Sequence, residues 1–108
     1  MNQHEPIILD HMATLADNVR CRALALLEDQ ELTVSDLCTV LQLPQSTVSR
    51  HLKTLLDRGW VDSRPDGTRR LYSARIDEME NSPRQLWDLT RLEIDASASG
   101  LLDRERLQ

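Results

Sequence analysis

The sequence predicts a mainly helical domain that carries one β-hairpin, and three features predict it. Apolar residues recur at helical spacing from Ile7 to about Leu56. After Gly59 the spacing changes to strand-like alternation over Trp60–Arg64 and Thr68–Ser73, with Pro65-Asp66-Gly67 as turn chemistry between them. Helical spacing then returns beyond Ser82-Pro83.

Each element has a local reason. Pro6 suits a first helical turn, and Ile7, Ile8, Met12 and Leu15 give that helix an apolar face up to about Ala16. Asp17 or Asn18 can cap a second helix, roughly Val19 to Glu28, and Asp29-Gln30-Glu31 is a polar break after it. Thr33-Val34-Ser35-Asp36 reads as a capping box with Asp in the fourth place, opening a short third helix through Leu37, Val40 and Leu41. Pro44 disfavours helix at Leu43, so Gln42-Leu43-Pro44 is a turn. The fourth helix runs from Gln45 to Arg58, and Gly59 supplies a left-handed stop. After the hairpin a last helix spans Arg84 to about Ala96. Ser97 to Gly100 is a weak helix former, and Leu101 to Gln108 is a polar end. Residues 1–96 are therefore expected as one domain and 97–108 as a polar C-terminal tail. Helix, tight turn, helix and basic hairpin, in that order, is the winged helix-turn-helix arrangement.

The composition narrows the class. A chain of 108 residues with 40% hydrophobic residues supports one small core, built from aliphatics because Trp60, Trp87 and Tyr72 are its only aromatics. Two cysteines make no disulfide framework and fit a reducing cytoplasm. No signal peptide and no membrane-length apolar run is evident, so a cytoplasmic protein without membrane partners is expected. The net charge is −5, yet Leu43–Arg75 carries seven basic and three acidic residues, a local +4 against −9 elsewhere. A nucleic-acid surface needs that local excess, not a basic protein.

Gln45-Ser46-Thr47-Val48-Ser49-Arg50-His51-Leu52-Lys53 concentrates this chemistry. On a helix Val48, Leu52, Leu55 and Leu56 fall on one side, while Ser46, Ser49, Arg50 and Lys53 fall on the other. Gln45, Ser46, Thr47, Ser49 and Arg50 can read or orient on bases in a major groove. Lys53, with Arg64, Arg69 and Arg70 near the hairpin tip, suits phosphates or a minor groove of double-stranded DNA. Two plainer readings stand beside this one: a solvated helix face, and charges that protect an exposed strand edge. Ser49 and His51 are two residues apart on a helix and do not face each other. No Gly-rich phosphate loop or His/carboxylate constellation is seen either, so no enzyme and no cofactor is expected.

Leu15–Leu24, Ser46–Leu52, Leu55–Val61 and the hairpin Arg64–Tyr72 resemble the ArsR/SmtB regulators over roughly Met12 to Ile94. The resemblance implies a homodimeric transcriptional repressor, released from an inverted-repeat operator by an effector. It also implies a dimer interface made by the first and last helices, here Ile8, Met12, Leu15, Leu86 and Leu89. Metal-sensing relatives carry Cys-x-Cys in the third helix, where this chain has Thr33 and Ser35; others use Asp and His on the last helix, and Ser82–Ala96 has no His. The histidines are His4, His11 and His51, so no metal site is expected. Three effector readings stay open: a thiol switch through Cys21 and Cys38, a small organic molecule, or a partner protein. A winged-helix interaction module without DNA binding is the alternative to the repressor reading.

Overall fold

The computed structural model describes residues 7–108. The elements are α1 (Ile7–Leu15), α2 (Asn18–Asp29), α3 (Val34–Leu41), α4 (Gln45–Asp57), β1 (Val61–Asp66), β2 (Arg69–Ala74), a 3-10 turn (Ile76–Glu78), α5 (Asn81–Ala96) and α6 (Ala98–Leu107). This is a winged helix-turn-helix. The start assigned to Pro6 and the position of His4 lie outside the described residues.

Helix α2 is the hub. It packs against α1, α3, α4, α5, α6 and β2, and Cys21, Ala23, Leu24, Ala25, Leu26 and Leu27 are all buried. Leu37, Val48, Leu52, Leu55, Trp60 and Trp87 complete the core around it. Each fully buried aliphatic of this kind contributes roughly 1.5–3 kcal/mol.

The caps form as the sequence predicts. Asp17 accepts from the Arg20 N–H at the start of α2. Thr33 and Asp36 exchange both bonds of the capping box. Gly59, at φ +81, ends α4: its N–H donates to Leu56 O and that of Trp60 to Leu55 O, at 3.1 and 2.9 Å.

Four features differ from the sequence reading. The hairpin turn is Gly67-Thr68, and Pro65 and Asp66 belong to β1, opposite Arg70 and Arg69. Pro65 is tolerated because β1 pairs with β2 alone and its other edge is open. Leu32 joins the sheet, exchanging backbone bonds with Tyr72 at 3.1 and 2.8 Å. The segment Ile76–Glu78 forms a 3-10 turn, seating buried Ile76.

The largest difference is the segment expected as a polar tail, which is helix α6. Ser97 caps it, accepting from Gly100 N–H while donating to Ile94 O. The weak propensity of Ser97–Gly100 is overridden by this cap and by docking on α2, α3 and α5. Gly100 is required at the corner: a Cβ there would lie 2.0 Å from Ile94 O. Gly100→Ala must therefore push α6 off α5, and urea unfolding is expected to show a loss of about 1–3 kcal/mol.

Candidate nucleic-acid interface

Helix α4 is placed by what it buries. Val48, His51, Leu52 and Leu55 are inside, whereas Gln45, Ser46, Ser49, Arg50 and Lys53 are exposed and Thr47 is half-buried. Pro44 starts the helix in extended conformation, its carbonyl accepting from Thr47 and Val48. The exposed face carries no carboxylate before Asp57. Lys53 Nζ reaches that group at 3.0 Å, but both side chains are more than half exposed, so the pair is worth little and opens readily.

The hairpin adds cations on two faces. Register puts Arg70, Tyr72 and Ser63 on one face and Arg64, Asp66 and Arg69 on the other. Gln45 and Arg70 border one cleft, so the start of α4 and the hairpin lie on the same side of the molecule. The three arginines are not equally free. Arg64 makes a bidentate pair with Glu31, both bonds 2.8 Å, and this bonding holds the Glu31 carboxyl below its ordinary range. Arg69 meets Asp66 only at 3.5 Å. Arg70 leans on Ser63, its Nε donating to Oγ at 3.1 Å.

His51 is not on this surface. It is 5% exposed, and Arg20 Nη1 lies 3.3 Å from its Nδ1. That donor needs an unprotonated Nδ1, so the ring is neutral there. Burial lowers its pKa, opposed by Asp17, with Arg50 and Arg20 lowering it further. No Ser49–His51 pair forms, because Ser49 points outward.

The remaining candidates divide. Met12 is 47% exposed on α1, and Leu89 and Leu92 are 64% and 70% exposed on α5, so both helices present apolar side chains to solvent. Ile8 is half-buried. Leu15 is buried in the core and Leu86 is partly buried against it, so these two serve their own subunit first. Cys21 is buried, its Sγ–H donating to Leu15 O at 3.0 Å. Burial raises its pKa to about 11, which keeps the thiol protonated and unreactive at neutral pH. Cys38 is half-buried and borders the cleft. The Thr33 hydroxyl is committed to its cap. Among the described residues, no three His, Cys, Asp or Glu side chains are grouped to hold a metal, and no helix is long and apolar enough to cross a membrane.

Sequence reasoning missed what holds the helix-turn-helix turn. Asp103 of α6 is 2% exposed and accepts two 2.7 Å bonds from Arg22 of α2 and one of 3.1 Å from Arg106. Arg22 also donates to Leu41 O, and Arg106 to Val40 O. Two guanidiniums thus cap the carbonyl end of α3, where positive charge is favoured. The next residue, Gln42, takes the left-handed conformation, φ 58, that turns the chain toward α4. The only sequence signal was an Asp with two arginines in a segment assigned as tail.

Comparison with known proteins agrees with the winged helix-turn-helix fold. Residues 17–63 match the family described as bacterial regulatory protein, arsR family. The chain is similar to an arsenical resistance operon repressor of Staphylococcus aureus, 40% identical over 58 residues, 54% of this chain and 56% of that protein. It thus spans little more than half the length of that curated relative. Among solved structures it is similar to the transcriptional regulator HlyU from Vibrio vulnificus, with TM-score 0.66, 28% identity, and 80% and 85% of the two chains covered. It is also similar to a homodimeric winged helix-turn-helix DNA-binding domain from Mycobacterium bovis, with TM-score 0.64, 25% identity, and 91% and 93% covered.

Two outcomes follow from the buried polar groups. Asp103→Ala strands Arg22 and Arg106 without their anion, and urea unfolding should show a loss of about 3–5 kcal/mol. Because the pKa of His51 is lowered in the fold, the unfolded chain takes up that proton first as pH falls. Its contribution is therefore present above the ordinary histidine pKa and is lost as pH drops through the lower folded value. Urea midpoints should fall between about pH 7.5 and 5.5, well above the carboxylate range, and His51→Gln should flatten that fall.

Proposed function

We propose that the chain is a homodimeric, DNA-binding transcriptional repressor of the ArsR family, a reading supported by the family match over residues 17–63 and by its similarity to arsenical resistance operon repressors. The observation that carries the reading is the two-sided α4: an apolar face locked into the core and a face of Gln45, Ser46, Ser49, Arg50 and Lys53 left open beside a basic hairpin. In this reading Gln45, Ser46, Ser49 and Arg50 meet base edges, and half-buried Thr47 orients the first turn of α4. Lys53, Arg69 and Arg70 meet phosphates or the minor groove. Arg64 joins them only by giving up Glu31, a surface exchange of small cost.

The exposed Met12, Leu89 and Leu92 support pairing through α1 and α5, as apolar side chains on a small domain gain from a second copy. The homodimeric M. bovis neighbour is consistent with it. Two recognition helices related by a two-fold axis would read half-sites about one helical turn, ~34 Å, apart.

The test is selection from a random duplex pool followed by binding measurements on the enriched duplex. Inverted repeats should be enriched. About eight phosphate contacts per dimer would give a slope of about −7 in log affinity against log salt. Arg50→Ala/Lys53→Ala should weaken binding at least about tenfold, with the thermal midpoint moving by less than about 2 °C, since both side chains are exposed. Unchanged DNA affinity in that variant would reject the assignment of the α4 face.

A further inference from the structure

We propose that the cleft between α3 and the hairpin binds a small planar organic anion, and that this ligand and DNA exclude one another. The cleft is about 520 Å³, inside the ~300–1,000 Å³ of sites that take small organic molecules. Both of its walls are anchored. On one side stand Val34, Ser35 and Cys38, on a helix whose start is locked by the Thr33–Asp36 capping box. On the other stand Tyr72 and Arg70, two apart on β2 and so on one face of the strand, and Arg69, next to the hairpin turn, borders the cleft as a second cation. The backbone exchange between Leu32 and Tyr72 holds that strand to the segment leading into α3. Gln45, at the start of α4, also borders the cleft. A site assembled from pinned elements needs little ordering when it binds.

The lining selects the ligand. Val34, the Tyr72 ring and the polarizable Cys38 sulfur offer a surface for a flat apolar body. Arg70, steadied through Ser63, offers its remaining N–H groups to a carboxylate in fork geometry. Ser35 and Gln45 can bond to further oxygens. No Asp or Glu borders the cleft, although the chain as a whole is acidic, so an anion meets no repulsion at contact distance. Gln45 and Arg70 are also assigned to DNA. This exclusion rests on the DNA reading above: whichever partner is bound occupies both residues.

The site is tested first without DNA. The ¹⁵N-labelled chain is titrated with 2-naphthoate, with its neutral amide 2-naphthamide, and with inorganic phosphate. 2-Naphthoate should saturate below about 5 mM, with the largest shifts at Val34, Ser35, Cys38, Gln45 and Tyr72, and the other two should bind at least about tenfold more weakly. Ser35→Trp, which fills the cleft, and Arg70→Gln should each raise the naphthoate Kd at least about tenfold in chains whose spectra stay dispersed. Shifts centred elsewhere, no saturation, or equal binding of the amide would overturn the site. In the second arm, 2-naphthoate at about ten times its Kd should weaken binding of the selected duplex about elevenfold. An unchanged DNA Kd with the cleft filled would overturn the exclusion. A chain that binds no duplex overturns it too, together with the DNA reading, while the first arm still decides the site.

Discussion

Burial of Val48, Leu52 and Leu55 leaves α4 no freedom to roll about its axis. All three are essentially inaccessible to water, and they lie on one side of a helix packed on α2, α3 and β1. Turning α4 by a quarter would expose them and bury Arg50 or Lys53 without a partner, a change that costs several kcal/mol in each direction. The orientation of Ser46, Ser49 and Arg50 is therefore a by-product of the core. That dependence on packing gives these side chains a fixed geometry, because they stand on a rigid element and not on a loop.

The angle of α4 to α3 has a second origin, in charge. A helix end leaves carbonyls without partners, and α3 ends in the body of the protein. Arg22 reaches the Leu41 carbonyl and Arg106 the Val40 carbonyl, and buried Asp103 accepts hydrogen bonds from both. This cluster draws on α2, α3 and α6 together, so the short turn Gln42-Leu43-Pro44 is braced from behind by an element more than fifty residues away in sequence. Removing Asp103 would leave both guanidiniums without their anion, Arg22 of them nearly buried, which makes the carboxylate the centre of the brace.

Electrostatics on the open side follow a different logic. The chain is acidic, and several of its cations are already engaged: Arg91 with Glu28, Asp29 and Asp95, Arg75 with Asp62 and Glu78, Arg64 with Glu31. What distinguishes the α4 face and the cleft is that, among the described residues, neither Arg50 nor Arg70 is held in an ion pair, while Arg64, Arg75 and Arg91 are. A polyanion senses this local field within about a Debye length, ~8 Å at physiological salt, more than it senses the net charge. Thiol chemistry fits less well with the same picture, since Cys21 is held as a protonated donor inside the core.

The caps, the turn at Pro44, the two faces of α4 and the switch to a hairpin were legible in the linear chain, because each depends on neighbours within four or five residues. Periodicity, capping chemistry and left-handed glycine are local physics, and Thr33, Asp36, Gly59 and Val48 act as their spacing predicts. Three things were decided only by the tertiary structure. Ala98–Leu107 is docked as helix α6 by Asp103, which accepts from Arg22, a contact between residues 81 apart. His51 went inside because Arg20 and Asp17 wait there. Arg64 was partly withdrawn from the open surface by Glu31. In each case a polar group's fate was set by a partner brought close through folding, and sequence spacing carries no record of such distances.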